Sequence, residues 1–277
     1  MPELPEAETT LRGIAPHISG QIITQILIRN RRLRWPIPTQ LEKIVTGQTL
    51  TRLSRRGKYL ILHCEEGSLL LHLGMSGRLR ILTTDTPPQK HDHVDIHFAN
   101  GTILRFTDPR RFGALLWTEE PPDEHSLLAH LGPEPLTPEF NADYLAQKAR
   151  RREVAIKSFI MDGKIVVGVG NIYATEALFA ARIHPEQAAG KVSRAKLLAL
   201  TAAIKEILAC AIQKGGTTLK DFSGSDGSPG YFSIELQVYG KANKPCPRCT
   251  VTLKEIRIGQ RSSVYCPTCQ QLSRRVL

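Results

Sequence analysis

Four cysteines near the C-terminus restrict this chain more than any other feature. Cys246 and Cys249 form one Cys-x2-Cys pair, Cys266 and Cys269 form a second, and sixteen residues separate the pairs. Each pair can lie on a tight turn that offers two thiolates, and four thiolates complete the tetrahedral coordination of zinc. Because protein ligands fill all four positions, the spacing predicts one structural zinc ion rather than a catalytic one.

The charge of the chain indicates its class of partner. The 277 residues carry a formal net charge of +11, which favours nucleic acid or an acidic membrane as the partner. No stretch approaches the roughly 18 apolar residues of a membrane span, and the acidic start is unlike a signal peptide. We therefore expect a soluble, cytoplasmic protein, in which the remaining cysteines, Cys64 and Cys210, are buried thiols.

Short apolar or alternating runs fill the first half of the chain. The dipeptides Glu66-Gly67 and Asn100-Gly101 lie between pairs of these runs and predict hairpin turns. Residues 39–42 have the pattern of a capping box that opens a short helix. So many short strands predict a β-sandwich or barrel up to residue 132. The predicted strands cover residues 22–28, 50–53, 59–64, 69–73, 79–82, 94–98, 103–107 and 114–117.

The character of the chain changes after a proline-rich segment at residues 131–138, which predicts a linker. Helical periodicity follows, and in the longest helix a spacing of three and four residues continues until Gly215. The alternating segment 251–264, between the cysteine pairs, predicts a hairpin that presents cations. The predicted helices cover residues 140–147, 154–161, 172–181 and 193–213.

The N-terminus carries a possible nucleophile. Pro2 follows Met1, so removal of Met1 would expose a secondary amine. A free α-amine has a pKa near ~8, against ~10.4 for lysine, and is therefore more nucleophilic at neutral pH. Glu3 places a carboxylate beside this amine, where it can move protons. The alternative is an ordinary helix start, since Pro5 suits a first helical position and Glu6 suits the positive end of a helix dipole.

A loop at residues 108–113 combines two arginines with an aromatic residue. Such a loop can enter a duplex, with Phe112 wedged into a base step and Arg110 bonded to base edges. The alternative is a solvated turn with one buried phenylalanine. Met75, which lies among glycines, is either a second wedge or a core residue. His91 and His93 flank an aspartate, a pattern that favours a hydrogen-bonded turn over a metal site.

Two glycine-rich segments leave their roles open. Residues 168–173 open a helix, where they can approach a phosphate or simply make a tight turn between helices. Residues 215–232 are long enough for a mobile lid, and the alternative is a disordered connection to the zinc finger.

Taken together, these segments resemble the formamidopyrimidine-DNA glycosylases, a family of bifunctional 8-oxoguanine glycosylases and abasic-site lyases. The resemblance covers nearly the whole chain, and the motifs occur in the family's order. It implies an α+β multidomain fold: an N-terminal β-sandwich flanked by helices, a helix–two-turn–helix domain and a C-terminal β-hairpin zinc finger, with DNA in the cleft between domains. The matching motifs are residues 2–6, 56–60, 72–77, 90–93, 108–113, 169–173, 225–232 and the four cysteines.

The resemblance implies four domain segments. These are a catalytic β-sandwich at 1–132, a linker and first helix at 133–150, the helix–two-turn–helix domain with a lesion-capping loop at 151–240, and the zinc finger with a basic tail at 241–277.

The resemblance also implies catalytic roles for four residues. Pro2 would be the Schiff-base nucleophile and Glu3 the proton donor to the sugar. Lys58 would donate a proton during β-elimination, and Arg261 on the zinc finger would do so during δ-elimination.

The implied DNA contacts fall into three groups. Met75, Arg110 and Phe112 would fill the gap left by the extruded base, with Arg110 facing the opposite cytosine. His91, Arg110 and Arg152 would contact DNA, although the family commonly has lysine at the last of these positions. The residues expected to bind phosphates around the flipped nucleotide are Lys58, His72, Asn171, Tyr239 and Arg261.

Two competing functions remain. A zinc-finger protein that only binds DNA would share the charge and the helical module, but it would not need Pro2, Glu3 and Lys58 together. The closer alternative is the sister glycosylase for oxidised pyrimidines, against which Leu4 and the long loop at 215–232 favour the purine enzyme. We expect a monomer that acts on damaged double-stranded DNA, contains one structural Zn²⁺ and is cytoplasmic in association with the nucleoid.

Overall fold

The computed structural model describes residues 2–84, 86–216 and 236–272. It divides into two compact units, one formed by Met1–His130 with Lys214–Ser233 and one by Leu131–Gln213 with Ile234–Leu277. Met1, most of the predicted capping loop (217–232) and the end of the basic tail (273–277) lie outside the described residues.

The first unit contains all eight predicted strands, whose ends differ from the prediction by up to three residues. Both predicted hairpin turns are confirmed, between β3 and β4 and between β6 and β7. The elements of this unit are α1 (Leu4–Ile18), β1 (Ile23–Ile28), α2 (Leu41–Val45), β2 (Arg52–Arg56), β3 (Tyr59–His63), β4 (Ser68–His72), β5 (Arg78–Leu82), β6 (Asp92–Phe98), β7 (Ile103–Thr107) and β8 (Ala114–Thr118).

These strands form two antiparallel sheets in the orders β1-β6-β7-β5 and β2-β3-β4-β8. Alternate residues of β3, such as Leu60 and Leu62, enter one hydrophobic core together with Ile96 and Phe106 of the other sheet. Ile14 of α1 joins the same core. Burial of one face of each sheet accounts for the alternation in the sequence, and the β-sandwich prediction is confirmed.

A buried ion cluster lies within this sandwich. Asp95 is 1% exposed, and its two carboxylate oxygens accept hydrogen bonds from Arg105 Nε at 2.8 Å and Nη2 at 2.7 Å. Arg29 Nη2 adds a third at 2.5 Å. Burial alone would raise the pKa of Asp95, but the hydrogen bonds from Arg105 and Arg29 outweigh it and hold the pKa below its usual value.

The predicted capping box at residues 39–42 is wrong. Helix α2 begins at Leu41, and its N-cap residue Gln40 makes no side-chain cap hydrogen bond. The Glu42 carboxylate pairs with Arg31 instead of returning to the helix start. A capping box occurs at α1, between Glu3 and Glu6.

The prediction of two buried thiols is half correct. Cys64 is buried, which raises the pKa of its thiol to about 11, whereas Cys210 is only partly buried.

The second unit is helical and ends in a β-hairpin, which confirms the remaining parts of the fold prediction. Phe179 of α5 packs with Leu253 and Val264 of the cysteine-bearing segment. Arg248 Nη1 donates to the Phe179 carbonyl at 2.9 Å at the end of α5. In the described residues, no helix is long and apolar enough to cross a membrane. The elements are α3 (Ala142–Ala149), α4 (Ile156–Met161), α5 (Asn171–Ala180), α6 (Arg194–Gln213), β9 (Lys254–Ile258) and β10 (Arg261–Tyr265).

We predict that Asp95→Asn lowers the free energy of unfolding of the first unit by about 3 kcal/mol, because the buried Arg105 guanidinium loses the carboxylate that binds two of its nitrogens. Both tryptophans, Trp35 and Trp117, lie in this unit, so tryptophan fluorescence during urea unfolding measures the effect. Asp123→Asn is the matched control, because that carboxylate is 83% exposed and should change stability by less than about 0.5 kcal/mol. Equal effects of the two substitutions would contradict the assigned importance of the cluster.

Candidate functional site

The start of α1 fixes Pro2 and Glu3. Both residues are buried, and Glu3 is the extended N-cap residue of the helix. The Glu3 amide donates to Glu6 Oε2 at 2.9 Å, and Pro5 lies in the first turn. The ordinary helix start and the reactive N-terminus are therefore compatible, because the capped helix is what orients the two residues.

Lys58 lies in the two-residue turn between β2 and β3, where Gly57 has a φ of +57°. Arg55 connects this turn to α1, since its Nε donates to Glu8 Oε2 at 2.9 Å and its Nη1 to the Gly57 carbonyl at 2.8 Å. The helix that begins beside Pro2 and the turn that carries Lys58 are thus joined by one guanidinium group.

His72, at the end of β4, lies beside this turn. Its ring centroid is 4.7 Å from that of Tyr59, and its Nδ1 accepts a hydrogen bond from the Gly74 amide at 2.9 Å. Burial, followed by the charges of Lys58 and Arg34, lowers the pKa of His72 to about 4. The ring is therefore neutral at pH 7 with its proton on Nε2, which makes His72 an uncharged donor near the Lys58 ammonium.

Asp108 joins two loops. Its side chain is fully buried, Ser76 Oγ donates to Oδ1 at 2.8 Å, and the Gly113 amide donates to Oδ2 at 2.8 Å. The Arg110 amide donates to Ser76 Oγ at 3.1 Å. A buried carboxylate with both oxygens satisfied holds the turn that carries Met75 against the loop at 108–113.

Phe112 is 44% exposed, so the alternative of one buried phenylalanine in a solvated turn is wrong. The Arg110 guanidinium lies 5.2 Å from the centre of its ring. A Cβ on Gly74, whose φ is +64°, would lie 2.4 Å from the Phe112 carbonyl carbon. Only glycine allows this approach, and it brings the half-buried Met75 next to Phe112 and Arg110.

Asp108 also positions the histidine pair. Its amide donates to the His91 carbonyl at 3.0 Å, and the buried His93 Nε2 hydrogen-bonds to the Asp108 carbonyl at 2.8 Å. Asp92 is occupied by Arg80 Nη2 at 3.1 Å. The hydrogen-bonded turn is confirmed, and His91 remains half-exposed beside the loop at 108–113.

In the second unit, Glu176 of α5 binds the backbone of residues 237–239 and holds it against this helix. Its carboxylate accepts from the amides of Gln237, Val238 and Tyr239 at 2.8, 2.9 and 2.7 Å. Asn171 begins the same helix, and its buried Oδ1 has no hydrogen-bond partner among the described residues. Glu176 was not among the predicted site residues, although a single acidic residue in an apolar helix is a signal that could have identified it.

Lys157 likewise fixes a backbone segment, the one that follows Arg261, and it too was not among the predicted site residues. It is 1% exposed, and its Nζ donates to the Ser262 carbonyl at 2.9 Å and to Ser263 Oγ at 2.7 Å. Arg261 precedes these residues and remains exposed. Arg152 is exposed, and its amide donates to the Ala149 carbonyl at 2.9 Å; among the described residues, no hydrogen bond or ion pair joins it to Asn171, Tyr239 or Arg261.

The four cysteines converge in the second unit. Their sulfur atoms all lie within 4.8 Å of one another, and Cys249 and Cys266 Sγ are 3.4 Å apart. Burial and the neighbouring thiols raise the pKa of the Cys269 thiol to about 12, so four thiolates coexist here only around a cation. The amides of Arg248 and Cys269 donate to sulfur atoms at 3.4 Å. This donor set fits tetrahedral zinc.

Family comparisons cover three parts of the chain. The formamidopyrimidine-DNA glycosylase N-terminal domain matches residues 1–115, and the H2TH domain of the same family matches residues 131–223. A zinc finger found in FPG and IleRS matches residues 243–272. Together with the clustered thiols, this match identifies the cysteine site as that of one structural zinc ion.

Individual relatives match over almost their full length. A formamidopyrimidine-DNA glycosylase of Photobacterium damsela subsp. piscicida is 59% identical over 98% of this chain and 100% of its own. The Lactococcus lactis Fpg (MutM), solved with N7-benzyl-Fapy-dG DNA, has a TM-score of 0.90 and 37% identity over 98% of this chain and 100% of its own. The same Lactococcus lactis protein, solved with DNA containing an oxidised pyrimidine, has a TM-score of 0.89 at 37% identity and the same coverage.

We predict that His72→Gln makes the first unit less sensitive to acid. An unfolded histidine binds a proton near pH 6.5, whereas folded His72 does so only near pH 4. As the pH falls from 6.5 to 4, His72 therefore lowers the free energy of unfolding of the wild-type first unit by an amount of order 3 kcal/mol. Urea unfolding at pH 7 and pH 4.5, followed by tryptophan fluorescence, should show a smaller drop for the variant. The same drop in both proteins would contradict the burial of a neutral ring.

Proposed function

This chain belongs to the formamidopyrimidine-DNA glycosylase family, and on that premise we propose that it removes oxidised purines, including 8-oxoguanine and formamidopyrimidines, from duplex DNA. The same chain then cleaves the strand at the abasic site, as one monomer in base-excision repair. Solved relatives bound to damaged DNA and the net charge of +11 support this substrate. A DNA substrate also favours a cytoplasmic location at the nucleoid.

The observation that carries the proposal is the buried pair Pro2 and Glu3 at the capped start of α1. After loss of Met1, the Pro2 amine attacks the anomeric carbon of the sugar while the bond to the damaged base breaks. The base leaves with the bonding electrons and takes up the proton that the amine nitrogen loses, and protonated Glu3 gives its proton to the opening ring oxygen. The product is an iminium between Pro2 and the sugar. The positive end of the α1 dipole opposes protonation of the amine and so favours its nucleophilic form.

The iminium ties base removal to strand cleavage. It acidifies the adjacent sugar proton, so loss of that proton expels the 3′ phosphate, and a second elimination expels the 5′ phosphate. Lys58 is the proposed proton donor for the first elimination and Arg261 for the second. Support for Lys58 is its fixed turn beside α1, and support for Arg261 is its exposure at the start of β10, where Lys157 holds the following residues.

Extrusion of a nucleotide from a duplex costs a few kcal/mol. Met75, Arg110 and Phe112 are proposed to offset this cost by filling the vacated space. The exposure of Phe112 and the bracing of its loop by Asp108 support this role. The Arg110 amide is bonded to Ser76 Oγ, so the guanidinium is the group proposed to face the opposite base.

The remaining contacts are proposed to hold the DNA backbone. Lys58 and the neutral His72 bind phosphates in the first unit, and His91 contacts DNA nearby. In the second unit, Asn171, Tyr239 and Arg261 bind phosphates and Arg152 contacts DNA. The boundaries proposed for these functions are 1–132, 133–150, 151–240 and 241–277.

Oxidised pyrimidines are the alternative substrates. The Lactococcus lactis structure with an oxidised pyrimidine in its DNA favours testing both lesion classes side by side. Faster cleavage of 8-oxoguanine duplexes than of oxidised-pyrimidine duplexes supports the purine enzyme, and the opposite order supports its sister.

We predict that Glu3→Gln separates the two activities. Base removal from an 8-oxoguanine duplex should fall by about a hundredfold or more, because proton transfer to the sugar is lost. Cleavage of a preformed abasic site should persist, because that sugar already opens to an aldehyde. Both are measured as product bands on denaturing gels, with Glu66→Gln in an exposed hairpin turn as the control. Equal loss of both activities, or no cleavage of 8-oxoguanine duplex by the wild type, would refute the proposal.

A further inference from the structure

The segment at residues 29–34 is the most basic stretch of the first unit, with four arginines in six residues. Two of them are neutralised: Arg29 pairs with Asp95 at 2.5 Å and Arg31 pairs with Glu42. Arg32 and Arg34 are exposed, and no carboxylate in the described part of the chain pairs with either. Two cations of this segment therefore remain available to an external anion.

Arg34 differs from Arg32 in its position. Its amide donates to the Gly113 carbonyl at 3.0 Å, so its backbone is fixed to the loop that carries Phe112. The residue after Gly113, Ala114, pairs directly with His72 across β8 and β4. Arg34 thus lies next to both the proposed inserting loop and the proposed phosphate-binding histidine. Within the described residues, Arg32 has no hydrogen bond to that loop or to His72: its amide donates to Asn30 Oδ1, and its backbone forms an isolated bridge with Pro36.

The guanidinium of Arg34 is preorganised. Its Cζ lies 4.7 Å from the centre of the Trp35 ring, over its face. Stacking already restricts this long side chain, so less conformational freedom is lost on binding, and the N–H groups at the edge of a stacked guanidinium can still donate hydrogen bonds.

Electrostatic coupling agrees with this geometry. Arg34 contributes, after burial and Lys58, to the lowered pKa of His72, and it opposes the rise that burial causes in the pKa of Tyr59. Its positive charge therefore acts at the place where Lys58 and His72 are proposed to hold phosphate.

We propose that Arg34 is a further DNA-binding residue, which binds a backbone phosphate between the Lys58–His72 pair and the inserting loop. The guanidinium offers paired donors that match phosphate oxygens. This role rests on the proposed function, because it requires the strand with the extruded nucleotide to pass over His72 and Phe112. It adds a cation that holds the strand beside the point of extrusion.

The test compares Arg34→Ala with Arg32→Ala, which removes the same charge two residues away. Substitution preserves the bond to Gly113, because that bond uses the main-chain amide. Binding to a duplex with a tetrahydrofuran abasic analogue is measured at several salt concentrations. Arg34→Ala should weaken binding about tenfold and reduce the salt slope by about one, whereas Arg32→Ala should stay within about twofold. Arg34→Lys should retain the salt slope.

If the wild-type protein prefers the abasic duplex over undamaged duplex, but Arg34→Ala and Arg32→Ala have equal effects, the inference about Arg34 fails and the proposed function stands. A wild-type protein without that preference overturns both this inference and the proposed function. Circular dichroism of each variant separates loss of binding from loss of folding.

Discussion

The buried carboxylate of Asp108 is the constraint on which the proposed DNA-contacting surface of the first unit depends. An ionised carboxylate loses several kcal/mol of hydration on burial, and only complete hydrogen bonding offsets that cost. Ser76 and Gly113 supply donors from two loops, while the Asp108 backbone bonds to His91 and His93. Separation of these loops would leave a buried charge without hydrogen-bond partners. The loops are therefore held in place, and with them exposed side chains such as Phe112.

The second unit uses the same device with different residues. Glu176 holds the backbone of residues 237–239 by three charge-assisted hydrogen bonds, and Lys157 holds the start of β10. In each case, a buried charged group fixes the backbone next to a side chain with a proposed role. These side chains are the half-buried Tyr239 and the exposed Arg261. Preorganisation of this kind lowers the ordering cost of binding. Zinc supplies the corresponding constraint within the finger.

Local patterns in the sequence predict the elements well, because alternation, turn dipeptides and Cys-x2-Cys spacing are decided by near neighbours. Contacts between distant residues were not predictable in the same way. Glu176 meets its first partner 61 residues away, and Lys157 meets Ser262 across 105 residues. The capping box at residues 39–42 failed for this reason, since Arg31 captures Glu42 by a tertiary contact. The exposure of Phe112 likewise depends on contacts of its loop with Asp108 and with the distant Gly74. No local sequence pattern indicates these contacts.

The central claim is that the amine of Pro2 carries both chemical steps. Borohydride reduction during reaction with an 8-oxoguanine duplex should convert the iminium to a stable protein–DNA adduct. Proteolysis and mass spectrometry should then find the sugar on a peptide that begins at Pro2, and protein that retains Met1 should form no adduct. An adduct on Lys58 or another lysine, or full activity with Met1 in place, would contradict the account.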